Sequence, residues 1–177
     1  MIKVTLLKKI AISFSLIMLI SLVLQACAQN RLPKKERDFV DMVGIPAENI
    51  NDPVELTLPD IGNDFTFGHP VLLLLRNRSH DTLIFPADYG AALYVYNEEN
   101  KLWIEIDNST VYPHAGDRLI DPVGKDSTGE VMFSVYPDTQ GMAQPTVIRV
   151  LVVGQDEQAG SADDTLVGAY LDITLSP

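Results

Sequence analysis

The chain contains one thiol, Cys27, and this cysteine stands directly behind a long apolar segment. Residues 10–26 carry no charge, and Lys3, Lys8 and Lys9 precede them. The cysteine thiolate is a strong nucleophile, so covalent chemistry on a side chain is most expected at this position. Because there is a single cysteine, no disulfide can form within the chain.

The segment before Cys27 has the parts of a secretory signal peptide: a basic start, an apolar middle and a small residue before the cut. Its ending, Leu24-Gln25-Ala26-Cys27, resembles the lipobox of bacterial lipoproteins, although Gln25 replaces the usual small residue. In that family the cysteine sulfur is joined to a diacylglycerol through a thioether, and a peptidase cuts just before the modified residue. The resemblance implies removal of residues 1–26, lipidation of Cys27 and a protein that is anchored to the membrane.

Two alternatives to lipidation remain at this stage. Cys27 could be a small buried hydrophobe, or the apolar run could be an uncleaved membrane anchor, for which it is short. The residue after the cysteine is Ala28. In the lipoprotein family an Asp at that position resembles a signal for retention in the inner membrane. Its absence predicts an outer-membrane location, on the extracytoplasmic side, if the cell has two membranes.

Charge is distributed unevenly along the predicted mature chain. Removal of the three signal-peptide lysines from the 13 basic residues leaves ten against 24 acidic ones, a net charge of −14. This balance argues against nucleic acid as a partner. Arg31, Lys34, Lys35 and Arg37 lie close behind Cys27, which leaves 6 basic and 22 acidic residues from Phe39 onward. The basic segment could contact anionic headgroups or be a solvated linker.

The rest of the chain predicts one all-β domain. We assign residues 27–52 to the lipidated cysteine and a flexible, disordered tether, with one helical turn within residues 36–42, and residues 53–177 to the domain. Short segments of alternating apolar residues recur between turn residues, as in Val54, Leu56 and Leu58. Residues 71–75 and 146–153 are apolar at nearly every position, which is typical of central strands that are covered on both sides or flanked by loops.

Seven to nine strands are expected, a number and spacing similar to immunoglobulin-like antiparallel β-sandwiches. The similarity is architectural only, because the Cys…Trp…Cys signature is absent. The predicted order is therefore an N-terminal signal helix, a tether and a sandwich. Many unrelated surface modules share such a scaffold, so the fold does not by itself indicate a function.

The clearest local prediction is a β-hairpin of residues 92–97 and 102–107 around a four-residue loop. This loop length pairs Val95 with Ile104 and Leu93 with Ile106 on one side of the hairpin. On the other side it pairs the residues Tyr96 with Trp103 and Tyr94 with Glu105.

Tyr94, Tyr96 and Trp103 are the predicted ligand-binding residues, because exposed aromatic rings can stack on a sugar or anchor a protein partner. The competing interpretation is structural. Aromatic residues favour strands and pair across them for stability, and a loop can cover them. The same face carries two acids, Glu105 and Asp107.

Other groups of residues that could bind a metal or act in catalysis give weaker indications of function. Asp156, Glu157, Asp163 and Asp164 fall in a glycine- and serine-containing stretch that could hold calcium, but their spacing fits no EF-hand, so we predict no cofactor. Residues 79–81 have the letters of a Ser-His-Asp triad, yet adjacent residues point in different directions, which indicates an ordinary turn. No catalytic motif can be assembled, and no enzyme activity is predicted.

Two hypotheses about function follow. The first is a lipid-anchored envelope protein whose non-enzymatic sandwich binds a protein or a polysaccharide through Tyr94, Tyr96 and Trp103. The second is an inhibitor that presents a loop to an extracellular protease, with residues 110–116 and 154–164 as the candidate loops.

Overall fold

The computed structural model describes residues 32–60, 65–110, 116–122, 127–136, 144–156 and 166–177, and every structural statement below refers to these residues. Within these ranges the chain forms nine strands, and the prediction of an all-β antiparallel sandwich is confirmed. The strands are β1 (Val54–Thr57), β2 (Val71–Asn77), β3 (Leu83–Phe85), β4 (Ala92–Asn97), β5 (Leu102–Ile106), β6 (Arg118–Ile120), β7 (Thr128–Phe133), β8 (Thr146–Asp156) and β9 (Leu166–Leu175).

The strands are divided between a small and a large sheet. The small sheet has the order β1-β2-β7, and the large sheet has the order β5-β4-β8-β3-β6, with β9 paired to β8. All strand pairs are antiparallel. The two sheets pack on one continuous core, to which both contribute every second side chain. Fully buried members from the two sheets include Val71, Leu73, Phe133, Ile148 and Val150.

Strand β8 organises the large sheet because it has three partners. One of its edges pairs with β9 from Thr146 to Gln155. Its other edge pairs first with β4, up to Leu151, and then with β3, from Gln155. Between these two stretches the turn after β3 contacts β8, where the Val153 amide donates to the Tyr89 carbonyl at 3.2 Å. The β3-β6 and β4-β5 pairs are therefore joined to each other through β8.

Two apolar runs differ in how they are covered. In β8 the inward residues Ile148, Val150 and Val152 are buried, and so is the outward residue Leu151, whereas the outward residue Val147 is 48% exposed, so cover on both sides begins only after Val147. In β2 the outward residues Leu72 and Leu74 are only half-buried, so that strand is covered fully on one side alone. Leu58 was expected to continue β1, but it follows the strand and is 43% exposed.

The chain divides into two compact units, one ending at Val43 and the other formed by Gly44–Pro177. The first contains a helix, α1 (Lys34–Val43), which is longer than the single turn that the sequence predicts. The Arg37 amide donates to the Pro33 carbonyl at its start, and Gly44, at φ 70°, follows its last residue. No helix among the described residues is long and apolar enough to cross a membrane.

Residues 44–52, which the sequence analysis assigned to the tether, belong to the second unit, along the outer edge of β9. The Asn51 amide donates to the Gly168 carbonyl at 2.9 Å, and the Asn51 side-chain oxygen accepts from the Tyr170 amide at 2.8 Å. Ile45 and Ile50 are buried. This segment therefore covers the backbone of a strand that would otherwise be a sheet edge.

Candidate functional site

The β4-β5 hairpin has the register that its loop length predicts. Tyr96 is opposite Trp103, and Tyr94 is opposite Glu105, on the face of the large sheet that points away from the core. The rings of Tyr96 and Trp103 meet edge to face, with centroids 5.1 Å apart and planes at 61°. Such aromatic pairs across strands add stability beyond their buried area.

The exposure of the hairpin differs from the expectation in two places. Tyr94 was predicted to lie on the solvent face, but it is only 9% exposed, whereas Tyr96 and Trp103 are half-buried. On the aliphatic side, Leu93 and Ile106 are buried in the core as expected. Ile104, in contrast, is 46% exposed, on the outermost strand of the larger, six-stranded sheet.

An arginine from β8 lies at the centre of the outward face. The guanidinium carbon of Arg149 is 4.3 Å from the Trp103 ring centroid and 4.1 Å from the Tyr170 ring centroid. Arg149 is only 1% exposed. A cation held between two rings in a desolvated setting gains more from cation–π attraction than an exposed one does.

The same arginine is bound by a carboxylate on the neighbouring strand. Arg149 is opposite Asp172 in the β8-β9 register, and its Nε and one terminal nitrogen each donate to a different Asp172 oxygen at 2.7 Å. This two-point geometry suits a planar guanidinium and fixes its orientation. The Asp172 side chain is 40% exposed, so the pair has one buried and one solvated partner.

These contacts form one row across four strands, in the order Glu105, Tyr94, Arg149 and Asp172 on β5, β4, β8 and β9. We name the surface made by this row and its aromatic neighbours the arginine-stack face. Its seven residues are Tyr94, Tyr96, Trp103, Glu105, Arg149, Tyr170 and Asp172. The row places a carboxylate at each end and a buried cation between them, so the face is ordered before any partner binds.

Tyr94 interacts electrostatically with Glu105 within this row. Burial, the nearby negative charge of Glu105 and a hydrogen bond to its carboxylate, in decreasing order of effect, all raise the pKa of the Tyr94 hydroxyl above its ordinary value. The neutral phenol is thus the form that the folded protein favours.

This shift predicts a loss of stability in alkali that depends on Tyr94. A group whose pKa is higher in the folded state holds its proton more tightly there, so its stabilising effect is complete below about pH 10 and declines as the pH rises further. Urea unfolding of the full chain between neutral pH and pH 11 should show this decline in the free energy of unfolding. Tyr94→Phe should make that free energy fall less steeply with pH. An unchanged slope in the variant would assign the decline to other groups.

Sequence reasoning missed three members of this face, namely Arg149, Tyr170 and Asp172. One signal was available: Arg149 is a lone charge inside the otherwise apolar stretch 146–153, where an unpaired guanidinium would be costly. Its partner could not be identified from spacing, because the β8-β9 register depends on a long-range pairing.

The remaining predicted sites lie mainly outside the described residues. Cys27, Glu157, Asp163 and Asp164 are not among them, and neither are most residues of the two candidate inhibitory loops. Residues 154–156 were expected to begin the second loop, but they continue β8, paired with β9 and β3. The described residues contain no group of three potential metal ligands, and Asp156 is the described member of the calcium hypothesis.

A concave surface lies at the end of the small sheet, away from the arginine-stack face residues. It is a cavity of about 480 Å³ whose lining includes Glu55, Arg76, Arg78 and His80. The Ser79 hydroxyl there is within hydrogen-bonding distance of the Asn77 side-chain oxygen at 2.7 Å and of the Asp81 carbonyl at 2.9 Å. Residues 79–81 thus form a turn with local hydrogen bonds, in which the serine hydroxyl contacts its own loop.

The sequence matches no protein-family model, and comparison with curated proteins gives no significant match.

Proposed function

We propose that this chain is a lipid-anchored protein of the bacterial cell envelope whose sandwich binds a protein partner, without catalysis, through the arginine-stack face. The observation that carries the binding proposal is the buried Arg149, held between Trp103 and Tyr170 and bonded at two points by Asp172. A face that is already ordered loses little conformational entropy when a partner docks.

The geometry favours a protein over a polysaccharide as the partner. Sugars are typically bound by an aromatic ring that offers a free face, whereas the rings of Trp103 and Tyr170 each direct a face toward the Arg149 guanidinium. The exposed parts of the half-buried rings, flanked by the carboxylates of Glu105 and Asp172, suit the side chains of a protein surface.

The anchoring part of the proposal is supported by the N-terminal sequence. A basic start, an uncharged apolar segment and the Leu24-Gln25-Ala26-Cys27 ending are together typical of a lipoprotein signal. Two or more acyl chains on Cys27 give lasting attachment, because each buried methylene contributes about 0.8 kcal/mol. In a cell with two membranes, we place the protein in the outer one, with Ala28 after the lipidated cysteine.

Photo-crosslinking in intact bacterial cells tests both parts together. The full chain would carry p-benzoylphenylalanine at Tyr96, and incorporation of labelled palmitate would be measured in the same cells. We expect palmitate on the chain and a discrete protein adduct from position 96. The variant Cys27→Ser should lose both the palmitate and the adduct, because the domain is then no longer held beside its partner.

The matched control places the same crosslinker at Leu119, which is 57% exposed on β6, at the other end of the large sheet. Equal adducts from positions 96 and 119 would contradict recognition by the arginine-stack face. Adducts to polysaccharide instead of protein would reassign the ligand. A chain without palmitate would contradict the anchor.

A further inference from the structure

The edge strands of the two sheets differ in how their backbones are protected. Residues 49–51 bond along β9, whereas the loop after β5 meets the chain just beyond the last residue of β7, where the Ser109 amide donates to the Ser134 carbonyl at 3.0 Å. Strands β1 and β6 are short, at 4 and 3 residues. Covering and shortness are both common ways to prevent a sheet edge from pairing with another chain.

Strand β5 has neither kind of protection within the described residues. Among the described strands, β5 pairs with β4 and with no other, so its far side is not part of a sheet ladder. The sequence Leu-Trp-Ile-Glu-Ile contains no proline, no lysine and no glycine that would bend it. Such an edge can accept one further strand through main-chain hydrogen bonds.

The side of β5 that points toward the core is also open. Leu102 is 61% exposed and Ile104 is 46% exposed, whereas Ile106, nearer the base of the sandwich, is buried. The chain that leaves β5 crosses to β7 at this base, where Asn108 accepts from the Ser134 amide at 3.4 Å. A strand added beside β5 would cover the two exposed aliphatic side chains with its own alternate residues.

The charge near this edge is negative. Glu105 on β5 is exposed, and the adjoining turn carries the acids Glu98 and Glu99. Lys101 in that turn bonds to Glu98 at 2.9 Å, and Arg149, which stacks on Trp103 of β5, is bonded by Asp172. Because residues from Phe39 onward hold 6 basic against 22 acidic residues, the field of the domain favours a basic partner and opposes a second copy of the same chain.

We propose that the β5 edge binds an extended segment of a partner protein that alternates apolar and basic residues. The segment adds a strand to the large sheet, its apolar side chains cover Leu102 and Ile104, and its basic side chains lie beside Glu105. This inference rests on the proposed function, since it specifies the partner and the mode of binding at the border of the arginine-stack face.

Trp103 makes the proposal directly measurable, because it is the only tryptophan of the chain and lies on β5. The purified full chain in detergent would be titrated with a capped peptide of about eight residues that alternates lysine and valine. We expect saturable binding with a blue shift of the tryptophan emission. Peptides with glutamate in place of lysine, or with N-methyl groups on alternate amides, should bind at least about tenfold more weakly.

A charge-matched pair of double variants locates the site. Leu102→Lys with Ile104→Lys should weaken binding by about tenfold or more, because lysines on an edge oppose strand addition and repel the basic peptide. The control, Leu119→Lys with Leu166→Lys, adds the same charge at two exposed leucines of other strands and should change binding less than about twofold. Circular dichroism would verify that both variants are folded.

Several results would overturn the inference: no binding, equal binding of the glutamate or N-methylated peptide, or equal effects of the two double variants. A dimer that the β5 variant dissociates would assign the edge to a second copy. The test is separable from that of the proposed function. Peptide binding without a cellular adduct at Tyr96 would contradict the proposed function alone, whereas an adduct that survives the β5 variant would contradict strand addition alone.

Discussion

Arg149→Lys is expected to lower the free energy of unfolding by about 2–3 kcal/mol, although the substitution retains the charge. A lysine ammonium cannot form the two parallel bonds that the guanidinium makes to Asp172. It also lacks the flat surface that fits between the rings of Trp103 and Tyr170. The variant therefore keeps a buried positive charge but loses part of the hydrogen bonding and ring contact that stabilise it. A buried charge without such partners lowers the stability of the folded state.

Urea unfolding of the full chain measures this loss, with circular dichroism and Trp103 fluorescence as independent probes. The matched control is Arg118→Lys. Arg118 lies 6.0 Å from the Tyr89 ring centroid, and its Nε has no hydrogen-bond partner among the described residues. We expect a change below about 1 kcal/mol there. Similar losses at both positions would show that the stack and the carboxylate contribute little at Arg149.

Gly90→Ala is expected to lower the free energy of unfolding by about 2–4 kcal/mol, because two costs combine at this turn. Gly90 has φ 59°, a conformation that side chains with a Cβ rarely adopt. A Cβ built at this residue would also lie 2.7 Å from the Val153 carbonyl oxygen, which belongs to the backbone of β8. Relief of that contact would move the turn away from β8, at the point where β8 changes its pairing partner from β4 to β3.

The control for this prediction is Gly44→Ala, which separates the two costs. Gly44 has a similar φ of 70°, but a Cβ there would meet no atom within 4 Å. The conformational cost alone should therefore appear, about 1 kcal/mol. Thermal and urea unfolding of both full-length variants would be compared with the parent chain. Equal losses of unfolding free energy in the two variants would mean that the contact between the added Cβ and the Val153 carbonyl is relieved without cost.

The parts of the fold that depend on nearby residues could be predicted from the sequence. The pairing of Tyr96 with Trp103 follows from a four-residue loop and a two-residue alternation, and the structure has that pairing. Because its composition is polar, the sequence predicts only a single turn within residues 36–42, and helix α1 is longer than that turn.

The parts that depend on distant partners could not be predicted. The position of Arg149 over Trp103 requires the register of β8 with β4, and its bond to Asp172 requires the register of β8 with β9; no local pattern determines either register. Ile104 alternates correctly, but it is exposed on the outermost strand of the larger sheet. Residues 44–52 have the composition of a linker, although Asn51 bonds to β9 in the folded chain.

The position of β8 in the chain has a kinetic consequence. During vectorial synthesis or passage across a membrane, the β3-β6 and β4-β5 pairs emerge first, and the strand that unites them emerges only after residue 146. Closure of the large sheet must then wait for long-range pairing, which is intrinsically slow. A nascent chain stopped before β8 would expose the β4-β5 hairpin and the long-range β3-β6 pair as separate parts to proteases and chaperones. Cooperative folding of the large sheet would begin only once roughly the last thirty residues are free.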